Sequence, residues 1–121
     1  MNIQNLDQIR AANALKAAKS KMGGKNSGEV VKKIPPMIRE NGILGALAFA
    51  KENGKGYEVC FNAIIEHLKS LGKTSSNDLD SFLNELTQAN SAKLREVTSE
   101  AMLYLNYLRR FARKSDKNGE E

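Results

Sequence analysis

The sequence predicts an all-α fold: a compact bundle of about six helices in a single domain over residues 1–114, followed by a disordered tail over 115–121. Three observations predict it. Apolar residues recur at spacings of three and four along most of the chain, the period of one helical face. Period-two alternation is absent, and β-branched residues are scattered rather than grouped, so no strand emerges. Proline and glycine, which start and stop helices, fall between the periodic stretches. At 121 residues the chain can bury one core and not two.

The first helix is expected from about Asn5 to Met22, with Ala11, Ala12, Leu15, Ala18 and Met22 as a stripe of small bulk that admits a close neighbour. Gly23-Gly24-Lys25-Asn26-Ser27-Gly28 breaks it as a basic loop. Val30, Val31 and Ile34 lead into Pro35-Pro36, and the next helix begins either at Glu29, kinking at Pro35, or at Pro35 itself. Asn41-Gly42 stops it, because glycine takes the left-handed angle that ends a helix. A helix from Ile43 to about Glu52 follows at once. It is apolar nearly all round, which suits the middle of a bundle or a protein interface.

Asn53-Gly54-Lys55-Gly56 ends that helix, and Tyr57, Phe61, Ile64, Ile65, Leu68 and Leu71 give the next an amphipathic face. Gly72 to Asn77 form a polar loop, after which Asn77 or Asp78 caps a shorter helix bearing Leu79, Phe82, Leu83 and Leu86. Ser91 is expected to cap the last helix, running to about Lys114. At about 100° per residue, Leu94, Val97, Ala101, Leu105, Leu108 and Ala112 share one arc, with Tyr104, Tyr107 and Phe111 beside it. Arg95, Ser99, Asn106, Arg109, Arg110 and Arg113 lie opposite. Met102 and Leu103 interrupt this polar side as a candidate contact with another chain.

No apolar run approaches the roughly 20 residues of a bilayer span. The segment Met1-Asn2-Ile3-Gln4-Asn5-Leu6 lacks a basic stretch followed by an apolar block, so no secretory signal is expected. Cys60, the only cysteine, excludes an internal disulfide and a cysteine-rich zinc site. A cytoplasmic location is the expectation.

Charge is unevenly placed. Residues 1–60 hold ten Lys/Arg against five Asp/Glu, while residues 61–121 hold nine of each. Between Arg10 and Lys33 there are seven basic residues and one acid, Glu29, and Arg109-Arg110-Phe111-Ala112-Arg113-Lys114 contains no acid. Clustered cations favour polyanions through counterion release, although a solubilising surface is the plainer account of any one of them.

No catalytic constellation emerges. His67, the only histidine, stands seven residues after Cys60, about 10 Å along a helix, too far for a nucleophile pair and too few ligands for a metal. Both are expected at the core or its rim. Asp78/Asp80 and Glu96/Glu100 are read as helix-start and helix-surface acids, with Glu96 or Glu100 as intramolecular partners for Arg109 or Arg110. No phosphate-binding loop motif is present. Neither catalysis, a metal nor a cofactor is expected.

Two segments resemble the small helical subunit of the Cmr complex, the type III-B CRISPR RNA-guided effector. The first is Ile34-Pro35-Pro36-Met37-Ile38, then Asn41-Gly42, then Gly45-Ala46-Leu47-Ala48-Phe49. The second is Thr98-Ser99-Glu100-Ala101-Met102, Tyr104-Leu105-Asn106-Tyr107-Leu108 and Arg109-Arg110-Phe111-Ala112. Tyr107 stands where the family would carry tryptophan, which keeps an aromatic ring. The resemblance implies a bundle that is not itself a nuclease and that stacks head-to-tail in a short filament. That filament lies beside the backbone subunits holding guide RNA, in contact also with the large subunit, and helps form the channel for target RNA in antiviral defence.

On this reading Lys32, Lys33, Arg39, Lys51 and Lys55 around the proline corner, with Arg109, Arg110 and Arg113, are the candidate contacts to guide and target RNA backbone. The isolated chain is expected to be a monomer. The small subunit of the related type III-A complex is the near alternative, and a stand-alone nucleic-acid-binding or adaptor protein the more distant one. A helix-turn-helix regulator fits poorly, since the helix after Asn41-Gly42 offers almost no hydrogen-bonding side chains to a major groove.

Overall fold

In the computed structural model, residues 5–20, 27–54 and 56–119 are described, with side chains over 5–19, 29–54 and 56–112. Among the described residues five helices make one domain: α1 (Leu6–Ser20), α2 (Ser27–Asn53), α3 (Gly56–Ser70), α4 (Leu79–Thr87) and α5 (Ser91–Gly119). Because α2 is broken at Gly42, the described residues form six helical segments, in line with the sequence. The basic loop expected at 23–28 lies outside the described residues, apart from Ser27 and Gly28 within α2. Lys55 and the side chains of the expected tail lie outside them too.

Each boundary has a local cause. Asn5 and Gln8 cap α1 reciprocally, Gln8 N–H donating to Asn5 Oδ1 (2.8 Å) and Asn5 N–H to Gln8 Oε1 (2.9 Å). Asp78 accepts from Ser81 N–H at 2.8 Å as the N-cap of α4, which also draws its carboxyl below the ordinary carboxylate range. The cap of α5 is Asn90, whose Oδ1 accepts from Lys93 N–H at 2.8 Å; Ser91 is instead the first helical residue.

The two prolines sit inside α2, so the helix starts before them, and the prolines themselves keep helical angles. Neither can donate, so the carbonyls of Val31 and Lys32 lose their helical partners. The break comes at Gly42, with φ 76° and ψ 166°, a region open essentially to glycine alone. The residues after it are less enclosed than expected. Ile43, Ala46, Leu47 and Ala50 are buried, while Ala48 is exposed and Phe49 is 38% exposed, edge-on to Tyr57 at 5.1 Å.

The core is one cluster, and α5 is its centre, packed mainly on α1 and α2. Val97, Ala101, Tyr104, Leu105, Leu108 and Ala112 are buried, as angular position predicts. The face of α1 departs from expectation in part: Ala18 is buried as expected, but so are Ala14 and Ala17, while Ala12 is exposed and Leu15 is 41% exposed. Alanine gives little basis for choosing a face, and the helix is turned so that Arg10 reaches Glu100 on α5.

A candidate nucleic-acid interface on the α2–α5 seam

Helices α2 and α5 lie side by side, and the seam between them carries the sequence-predicted cations. Lys32, Pro35, Pro36 and Arg39 fall at i, i+3, i+4 and i+7 of α2, one helical face. Opposite them stand Met102, Leu103, Leu105, Asn106 and Arg109 of α5, and together the two sets enclose a groove of 240 Å³. Among the described residues no Asp or Glu lines it. Leu105 is its buried floor, Met102 is half-buried and Leu103 is 42% exposed. Arg39 and Arg109 are exposed and have no carboxylate partner among the described residues. Lys32 makes only a loose contact with Glu29, at 3.9 Å between two exposed side chains.

The other candidates do not join this groove. Lys33 and Arg110 are exposed beside it but do not line it. Lys51 lies at the far end of α2 and is tied to Asp80 of α4 at 3.0 Å. Lys55 and the Arg113 side chain lie outside the described residues. Asn106, Met102 and Leu103 line the groove although charge clustering does not single them out. The signal in the sequence is the apolar interruption by Met102 and Leu103 of the polar helix face on which Asn106 lies.

The same seam continues past the Gly42 break as a mainly apolar groove of 560 Å³, lined by Ile43, Leu44, Leu94 and Thr98 with Asn41, Arg95 and Ser99.

A second polar cluster is buried where α1, α3 and α5 meet. Arg10 grips Glu100 with two hydrogen bonds, Nε to Oε2 at 2.7 Å and a terminal nitrogen to Oε1 at 2.8 Å, and reaches Asp7 at 2.9 Å. His67 is stacked on Tyr104 with ring centroids 4.3 Å apart. The network assigns its tautomer. Ser70 Oγ donates to the His67 carbonyl (2.7 Å), so it accepts from Asn13 Nδ2 (3.0 Å). The other Asn13 proton goes to His67 Nδ1 (2.9 Å), leaving the ring proton on Nε2 to be donated to Glu100 Oε2 (2.9 Å).

The ionisation states follow. Burial pushes the His67 pKa down, outweighing the upward pull of Glu100, and Arg10 adds to the lowering. Burial alone would raise the Glu100 carboxyl, but the hydrogen bonds from Arg10 and His67 and the Arg10 charge hold it below its ordinary value. The hydrogen bond to Glu100 raises Arg10, so the pair is ionised and His67 neutral. This corrects the reading of Glu100 as a surface acid: it is 4% exposed and pairs with Arg10, not with Arg109 or Arg110. Glu96 pairs instead with Lys73 and Lys93.

Cys60 is fully buried, and burial pushes its thiol up to about 12. Among the described residues no group of three or more His, Cys, Asp or Glu is placed to hold a metal ion. Among them, too, no helix is long and apolar enough to cross a membrane.

Comparison with known proteins places this geometry. A crystal structure of a CRISPR-associated Cmr5 family protein from Thermus thermophilus superposes with a TM-score of 0.75 over 92% of this chain and 97% of that one. At 21% identity that match speaks for the fold. No curated protein matches. The family model described as CRISPR-associated protein (Cas_Cmr5) matches residues 6–115, nearly the whole bundle including both walls of the basic groove. The chain therefore belongs to the CRISPR-associated Cmr5 family, as a small helical subunit of the Cmr effector complex.

Proposed function

We propose that this chain is a non-catalytic subunit of a cytoplasmic type III-B Cmr ribonucleoprotein. On this reading it stacks on its own copies beside the backbone subunits and steadies guide and target RNA through backbone contacts in antiviral defence. One observation carries the RNA contact: Lys32, Arg39 and Arg109, more than sixty residues apart at the extremes, converge on one groove that no carboxylate lines among the described residues. Phosphate is recognised by such charge without reading sequence, which suits a subunit that must serve any guide. The absence of catalysis rests on the two residues most able to perform it. His67 is kept neutral by burial against the pull of Glu100, with both ring nitrogens engaged, and burial keeps the Cys60 thiol protonated.

The test uses the reconstituted complex with its guide. Charge reversal of Lys32, Arg39 and Arg109 should weaken target-RNA binding, while the variant subunit still assembles. For each phosphate no longer neutralised, the log–log salt dependence should flatten by about 0.7 to 0.9. Unchanged affinity and slope across the salt series would remove the groove from the RNA path.

A further inference from the structure

The groove on the α2–α5 seam is not only basic. Pro35 and Pro36 on one wall, and Met102 and Leu103 on the other, give it apolar sides between the cations. From these walls we infer that the groove takes an unpaired nucleotide of single-stranded RNA in preference to the backbone of a base-paired duplex. This rests on the RNA-contact reading above and adds the form of RNA that is bound.

The argument is one of complementarity. A duplex presents phosphates and sugars outward and keeps its base faces stacked inside. Against it the cations would be satisfied, but Leu103, 42% exposed, and Pro36, also exposed, would face polar groups and water. An unpaired nucleotide offers phosphate and an uncovered base face together. Its phosphate meets Lys32, while the planar guanidinium groups of Arg39 and Arg109, neither held by a carboxylate, can take a phosphate or stack on the base. The aliphatic walls cover the rest of the ring. Asn106, exposed and without a hydrogen-bond partner among the described residues, supplies a donor and an acceptor for a base edge or a 2′-hydroxyl. At 240 Å³ the groove is below the roughly 300–1,000 Å³ of sites for drug-sized ligands, the scale of one repeating unit rather than of a duplex.

An acidic protein segment would also satisfy three cations and an apolar wall. The planar, carboxylate-free arginines and the unpaired amide favour the nucleotide, and a competitor separates the two.

The experiment uses the full chain and a fluorescein-labelled unstructured RNA of about 12 nucleotides, alone or annealed to its complement, from low to moderate salt. The single strand should bind about fivefold or more tightly than the duplex. Leu103→Ser should lower single-strand affinity about threefold or more with the salt slope unchanged, since it removes wall and not charge. Arg39→Gln and Arg109→Gln should each flatten the slope by about 0.7. Equal affinity for both RNA forms, or no effect of Leu103→Ser, overturns the preference while leaving RNA contact intact. Displacement of the RNA by polyglutamate of matched charge as readily as by unlabelled RNA overturns it in favour of a protein occupant. Binding of neither RNA at low salt, or a slope indifferent to both arginines, overturns the RNA-contact reading itself.

Discussion

Replacing Glu100 with Gln should cost more stability than any other single charge removal in this chain. The change keeps shape and removes one proton acceptor's charge from a site where the Arg10 and Glu100 side chains are 10% and 5% exposed. Breaking one half of a buried pair costs about 3–5 kcal/mol, because the remaining charge stays desolvated. Arg10 retains Asp7 as a partner at 2.9 Å, which offsets part of the loss even though Asp7 is 67% exposed, so the low end, about 3 kcal/mol, is expected. For a domain of this size that is about 10 °C in Tm. The assay is urea and thermal unfolding followed by helical circular dichroism. The double change Arg10→Met with Glu100→Leu should cost clearly less than the sum of the two single changes. The same network fixes the pH dependence. His67 has a lowered pKa in the folded state, so as pH falls below about 6.5 the unfolded chain takes up a proton that the folded chain refuses, and stability drops. The slope is at most about 1.4 kcal/mol per pH unit for one proton, and His67 is the only histidine to supply it. Glu100, also lowered, adds a second loss as pH falls below about 4.5. A Glu100→Gln variant within about 1 kcal/mol of the parent, or a stability that holds level from pH 7.5 to 5.5, would refute the account of the network.

Gly42→Ala should cost about 1–3 kcal/mol in the same unfolding assay, purely from backbone strain, since a Cβ there meets nothing within 4 Å; a variant as stable as the parent would show that the break can shift. Gly54→Ala, at an ordinary left-handed φ of 58°, should cost less than Gly42→Ala. Cys60 should resist a thiol reagent at pH 8 in the folded protein and react fully in denaturant, and a fast native reaction would contradict its burial. Lys51→Glu should lower stability by no more than about 1 kcal/mol, because its bridge to Asp80 joins two exposed side chains, and should leave RNA affinity within twofold of the parent.

Much of the fold is written in residues whose bulk makes burial decisive. On α5 the arc from Leu94 to Ala112 and its aromatic neighbours follow from spacing alone, and so do the faces of α3 and α4. On α1 the signal fails because alanines face every direction, and the choice among them is made by Arg10, whose partner lies ninety residues away. No local pattern marks Glu100 as buried, since an acid on a helix is ordinarily solvated and only the tertiary approach of Arg10 and His67 reverses that. The proline pair leaves two readings open in the sequence, a helix that starts before it or one that starts at it, and the structure takes the first. Two prolines together also fit a helix start, and it is the burial of Val31, Ile34 and Ile38 that carries the helix through them to the expected stop at Gly42.

The candidate cations are legible as sequence clusters, but a cluster in sequence is not a density in space. Adjacent helical residues point about 100° apart, so Lys32 and Lys33, or Arg109 and Arg110, cannot both face one groove. In each pair one member lines the seam and the other looks elsewhere. The groove gathers its charge across helices, drawing Lys32 and Arg39 from the basic half of the chain and Arg109 from the half whose charges cancel. The excess of +5 in the first half therefore has no counterpart as a basic side of the molecule at this site. What favours a polyanion here is local: three cations in one concavity, two of them without a carboxylate partner among the described residues. The Gly42 break then sets where that concavity stops, because beyond it the same two helices present Ile43, Leu44 and Leu94 and only Arg95 in charge. A single left-handed glycine thus divides one seam into a part suited to phosphate and a part suited to apolar contact.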